Sequence, residues 1–79
     1  MPRALVFINT ISDAVEVIKD LEKVEGVSEA FSSREMYDAV AMIQAESFGA
    51  VKEIVSKRIR GLDNVKSTLT LRLIESPSS

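Results

Sequence analysis

The chain has 79 residues, 46% of them hydrophobic, with ten basic and twelve acidic residues and a net charge of −2. That is room for one domain, too apolar for a disordered chain and without the clustered cations of a nucleic-acid binder. It contains no Cys and no His, which excludes a disulfide staple, a Cys/His zinc site, and the commonest general base and thiol nucleophile. A domain this small buries only about 60–65% of the surface its unfolded chain exposes, so association with other copies is the remaining source of stability. No apolar run approaches the ~20 residues of a membrane span.

Arg3 to Ile8 is a compact apolar run of strand formers and reads as a strand buried on both faces. Asn9-Thr10 follow it with no small-residue cleavage site, so the terminus reads as a strand and not as a signal peptide, and a cytoplasmic location is expected. Asn9 to Asp13 change the direction of the chain. Ser12 or Thr10 is the expected cap of a first helix, with Asp13 and Glu16 in its first turn. Ala14, Val17, Ile18, Leu21 and Val24 form its apolar stripe, and Glu25-Gly26 is its expected stop. Val27 to Ser33 is a more polar strand suited to a sheet edge, with Val27, Glu29, Phe31 and Ser33 expected on one face.

Arg34 to Asp38 is a polar connection, and Ala39 to Ala45 an almost unbroken apolar run, the mark of a strand covered on both faces. A second helix begins near Glu46 or Ser47, with Phe48, Val51, Val55 and Ile59 as its stripe and Ile54 at the margin. Glu53 and Lys57 are spaced for an exposed pair, and Lys57, Arg58 and Arg60 gather at the helix end. After the turn Gly61 to Asn64, Val65 to Ile74 alternates Leu69, Leu71 and Leu73 against Thr68, Thr70 and Arg72, as a strand does. One domain over 1–75 and a disordered tail over 76–79 complete the reading.

A faint repeat runs through the chain. Setting Val27 on Val65 aligns Val24 with Leu62, Leu21 with Ile59 and Val17 with Val55. Two interleaved strand-helix-strand units give an α+β, ferredoxin-like βαββαβ fold, with a four-stranded antiparallel sheet and both helices on one face. The first and third strands are apolar on both sides, so the uncovered face requires a cover. The same face of a second copy provides it, giving a homodimer with sheets packed face to face.

No catalytic constellation is present. Asp13 and Glu16 are explained by a helix first turn, and Lys57, Arg58 and Arg60 by a solvated helix end. Two polar groups remain: Tyr37-Asp38 at the start of the third strand, and Ser67-Thr68 with Thr70 on the last. In one reading Asp38 caps a turn and the threonines are ordinary strand residues. In the other, a carboxylate, a phenol and hydroxyls line a small pocket for the ammonium and carboxylate of a small zwitterion.

Four stretches occur in order: Ile8-Asn9-Thr10 ending the first strand, Val24-Glu25-Gly26-Val27 closing the first helix, Glu35-Met36-Tyr37-Asp38, and Asn64-Val65-Lys66-Ser67-Thr68-Leu69-Thr70. With this spacing, Leu5 to Glu75 resembles the effector-binding domain of the Lrp/AsnC transcription regulators, the RAM domain. The resemblance implies a subunit that pairs into a dimeric α/β barrel, dimers that gather into a tetramer of dimers, and an amino-acid effector held between dimers. It nominates Tyr37, Asp38, Ser67, Thr68 and Thr70, with Arg34, Glu35 and Met36 as neighbours, and implies no catalytic residue, metal or cofactor. Glu35 stands where the family has Gly, which narrows the pocket or changes its ligand. The family's helix-turn-helix domain does not occur in the sequence. The expectation is a stand-alone form that binds no DNA itself and acts through assembly or through full-length Lrp/AsnC-type regulators. Two alternatives stand beside this: a small dimeric α/β-barrel enzyme of monooxygenase or isomerase type, which the absence of His disfavours, and a ligand-free oligomerisation partner.

Overall fold

The computed structural model describes residues 2–33 and 36–74. Within them lie β1 (Arg3–Thr10), α1 (Ala14–Glu22), β2 (Val27–Ser32), β3 (Ala39–Gln44), α2 (Phe48–Ile54), continued by one π-helical turn (Val55–Ile59), and β4 (Val65–Leu73). The strands form one antiparallel sheet in the order β2-β3-β1-β4. This is the ferredoxin-like α+β fold that the pattern predicts. The expected tail 76–79 lies outside the described residues, as do Arg34 and Glu35.

The core is made where the two central strands meet the helices. Ala4, Val6 and Ile8 of β1 and Ala39, Ala41 and Ile43 of β3 are fully buried, as are Val17 and Leu21 of α1 and Ile59 of the π turn. Every second residue of the two central strands therefore points to the helices, as the strand period requires. No polar or charged side chain is buried among the described residues. Helix α1 packs on β2 and β3, and α2 on β1.

The repeat is visible in the turns after the helices. Val24 N–H donates to the Leu21 carbonyl and Val27 N–H to the Val24 carbonyl, at 3.0 and 3.1 Å. At the aligned positions Leu62 N–H donates to Ile59 and Val65 N–H to Leu62, at 3.1 and 3.2 Å. The two halves thus leave their helices through the same hydrogen-bonded turn.

Several boundaries differ from expectation. The cap of α1 is Asp13, whose carboxylate accepts from Val15 N–H at 2.9 Å. Thr10 is not available to cap, because β1 runs two residues further than expected and Thr10 pairs with Val65. Ser12 is engaged elsewhere, its hydroxyl 3.2 Å from Asn64 Oδ1. Helix α1 ends at Glu22, with Gly26 three residues beyond its cap Lys23 at φ +100°. On β2 a bulge at Ser28 separates Val27 from Glu29 and Phe31. Val27 pairs with Ile43 and joins the core side, while Glu29 and Phe31 pair with Met42 and Val40 on the opposite face. The extra residue reverses the alternation, so these side chains do not share one face as expected. The second helix does begin where the sequence places it, with Ser47 as its cap, accepting from Ala50 N–H at 3.1 Å.

The face away from the helices is apolar. Register places Phe31, Val40, Phe7 and Leu69 in one row across all four strands, and Met42, Leu5 and Leu71 in the next, which ends at Glu29 on the edge strand β2. Phe31, Leu69 and Leu71 are 46–48% exposed. On β4 the leucines take this open face, and Thr68, Thr70 and Arg72 take the helix side. The alternation of β4 is thus opposite to that of an edge strand that turns its apolar side to its own helices.

Candidate functional site

Asp38 sits at the join between the β2–β3 connection and β3, beside the last turn of β1. Its N–H donates to the Ile8 carbonyl at 2.9 Å and its carbonyl accepts from Ser33 N–H at 3.0 Å. Its carboxylate oxygen Oδ2 accepts from Thr10 N–H at 2.8 Å. The β1–β4 register shifts between Asn9 and Thr10, and the carboxylate meets the amide on the β3 side of that irregularity. The side chain thus acts as a clasp between the start of β3 and the end of β1. A carboxylate offers about four lone-pair sites, so this bond leaves acceptor capacity for a ligand.

Next to it, the Tyr37 ring lies 5.2 Å from that of Phe7, tilted by 44°. Phe7 belongs to the open face, so Tyr37 covers one end of it. Ser67, opposite Asn9 in the ladder, accepts a hydrogen bond from Asn9 Nδ2 at 3.2 Å. Met36 is 83% exposed. Tyr37, Asp38 and Ser67 therefore gather around the end of β1, where Phe7, Asn9 and Thr10 contact them. Arg34 and Glu35 lie outside the described residues, and with them the expected effect of Glu35 on the pocket. Thr68 and Thr70 are on the other side of the sheet. They line a groove of about 390 Å³ between α2 and β4, with Phe48, Lys52, Arg60 and Arg72. The five nominated residues fall on both faces of the sheet, because neighbours on a strand point opposite ways.

The sequence reading missed Asn9 as the partner of Ser67 and Thr10 as the partner of Asp38. Asn9 had a signal: it is a polar residue at the end of an apolar strand. Thr10 had none, since it contributes its backbone N–H. The groove residues Lys52, Ser56 and Arg60 had one too, being spaced by four along a helix. Of the basic cluster at the helix end, Arg60 enters the groove, whereas Lys57 is paired with Glu53 at 2.9 Å. That exposed pair lowers the Glu53 pKa and raises that of Lys57, chiefly through the hydrogen bond between them. Among the described residues no group of acidic side chains could hold a metal ion. No helix among them is long and apolar enough to cross a membrane.

No protein-family model and no curated protein matches the chain. Solved structures do. It superimposes on E. coli AsnC with a TM-score of 0.87 at 23% identity, over 96% of this chain and 52% of that one. It matches TTHA0845 from Thermus thermophilus with a TM-score of 0.89 at 23% identity, over 96% of both chains. The feast or famine regulatory protein Rv3291c from M. tuberculosis, complexed with L-methionine, gives 0.81 at 22% identity, over 100% of this chain and 54% of that one. The chain thus spans about half the length of AsnC and nearly all of TTHA0845. At these identities the likeness establishes the fold, a ferredoxin-like α+β domain of the kind found in AsnC.

Proposed function

We propose that this chain is a non-enzymatic effector-binding module of the Lrp/AsnC type, a single RAM-like domain that associates through its open sheet face and holds a small amino acid near Tyr37 and Asp38. The observation that carries the reading is the open face itself. One apolar row crosses all four strands and a second crosses β3, β1 and β4, ending at Glu29 on β2, and the edge strand β4 turns its leucines outward and its threonines inward. A face of that kind fits a partner with the same rows, and a two-fold axis brings one copy against another. The polar end of β1 borders this face, so Tyr37, Asp38 and Ser67 lie beside the interface, where a further copy closes a site. Asp38 suits the ligand's ammonium group, and Ser67 with the surrounding backbone suits its carboxylate. Two of the solved likenesses, both regulators in complex with L-methionine, support an amino-acid ligand class. Association with full-length regulators of this type is the expected route to transcription.

The test has two readings on one sample. Light scattering at micromolar concentration gives a dimer or a multiple of it. Thermal unfolding against single amino acids at millimolar concentration gives a selective rise. A ligand at about 100 times its Kd adds about 2.7 kcal/mol per site, at least about 5 °C in a domain of this size. A monomer would remove the interface, and a flat response across all amino acids would remove the ligand class.

A further inference from the structure

Helix α2 packs on β1, and the helix side of the edge strand β4 is left bordering open space. The groove between them holds about 390 Å³ and has a floor of Phe48, Val51 and Val55. Its walls carry three cations, Lys52 and Arg60 from the helical segment and Arg72 from β4, and three hydroxyls, Ser56, Thr68 and Thr70. No acidic residue lines it, although the chain has twelve acidic residues against ten basic ones. Among the described residues none of the three cations has a carboxylate within ion-pair distance, and the described ion pair of this helix, Lys57 with Glu53, lies outside the groove. The Arg72 guanidinium carbon stands 4.8 Å from the centroid of the Phe48 ring. Stacking on that ring holds the guanidinium in place while its N–H groups remain able to donate in its own plane.

We infer that this groove binds a small multivalent oxyanion, of the phosphate-ester or polycarboxylate class, between α2 and β4. Three like charges around one groove repel one another, and an anion removes that repulsion. A single carboxylate is satisfied by one arginine, whereas three cations and three hydroxyls match an anion of at least two charges with many acceptor oxygens. A free amino acid does not fit, because its ammonium group would face three cations and no carboxylate. The groove is therefore separate from the site proposed at Tyr37 and Asp38, and neither depends on the other. The apolar floor suits a ligand that joins its charged groups to a carbon body.

The experiment is a calorimetric titration of the intact protein with inorganic pyrophosphate, ADP and citrate in turn, in a buffer free of phosphate. Amide spectra are recorded at the end of each titration. Saturable binding is expected, with shifts at Ser56, Thr68 and Thr70. A response to pyrophosphate and ADP alone assigns phosphate esters, and a response to citrate alone assigns polycarboxylates. Arg72→Gln and Arg60→Gln each weaken binding at least tenfold. Lys57→Gln and Arg58→Gln, which remove neighbouring cations that do not line the groove, leave it within twofold. All four side chains are exposed, so unchanged unfolding midpoints separate lost binding from lost folding. No binding of any of the three anions at millimolar concentration would overturn the inference. Equal weakening by all four variants would also overturn it, because that is the signature of diffuse surface charge. Tight binding of a single-stranded oligonucleotide with no response to the small anions would overturn it in favour of a nucleic-acid surface.

Discussion

Asp38 combines a scaffold role and a proposed ligand role in one carboxylate, and two substitutions separate them. Asp38→Ala removes the acceptor for Thr10 N–H, and loss of one such bond at an exposed site costs about 1 kcal/mol. In a domain of this length that lowers the unfolding midpoint by about 4–8 °C. Asp38→Asn keeps an acceptor oxygen and recovers most of the loss, while removing the charge that would attract an ammonium group. The expected result in a thermal scan is an Asn variant that folds near the wild-type midpoint and no longer responds to amino acids. Gly26 is a second residue that the turn constrains. Its φ is +100°, and a Cβ there would stand 2.7 Å from Ile54 Cδ1. Gly26→Ala is expected to cost about 1–2 kcal/mol from the backbone alone, read by urea denaturation, with no effect on the open face. The sequence marks the glycine as the helix stop, but the helix ends at Glu22 and the glycine serves the turn into β2 instead. Its closeness to Ile54 was not legible, since that contact joins residues 28 positions apart in the chain.

At the scale of elements, the second helix carries an irregularity that the sequence reading did not anticipate. Val51, Val55 and Ile59 are spaced by four, and at 100° per residue each step of four drifts about 40° around a regular α-helix. The chain absorbs the drift in the π turn, where Arg60 N–H donates to the Val55 carbonyl at 2.9 Å. Val55 and Ile59 stay on the buried side as a result. On β4 the alternation of leucines and threonines was legible, but which side met the helices was not. That side depends on the register with β1, where Phe7 faces Leu69 and Leu5 faces Leu71. Leu69→Glu with Leu71→Glu is expected to weaken self-association at least 100-fold, measured by sedimentation equilibrium, and to leave a folded monomer. Two interface side chains worth about 1.4 kcal/mol each correspond to that factor. The Glu53–Lys57 pair is a contrasting case. The folded-state pKa of Glu53 is lowered from 4.5, so whatever the pair contributes is present above that pH and fades below it. Both groups are exposed, so Glu53→Gln is expected to leave the unfolding midpoint at neutral pH unchanged within error.

For the whole molecule, the proposed association through the exposed apolar face would tie the stability of this small domain to its concentration. The unfolding midpoint is expected to rise with protein concentration across a hundredfold range, as it does when the folded state is an oligomer. A midpoint independent of concentration, together with a monomeric mass, would mean that the open face is covered by something other than a copy of this chain. The proposed amino-acid site and the proposed anion groove lie on opposite sides of the sheet, so at this scale two ligands would act on one chain without competing.

The fold itself was written in local patterns. Strand and helix periods, the turn residues and the repeat of Val24-to-Val27 against Leu62-to-Val65 are properties of short stretches, and short stretches settle which element forms. So does the apolar character of β1 on both sides, which calls for a cover on each. Tertiary structure decided the rest. Whether Ser67 and Thr68 share a pocket depends on a pleat that sends neighbours to opposite faces. Whether Lys52, Arg60 and Arg72 surround one space depends on a crossover that lays α2 over β1 and beside β4. A site is a coincidence of positions distant in the chain, and only the packing of the sheet against its helices brings those positions together.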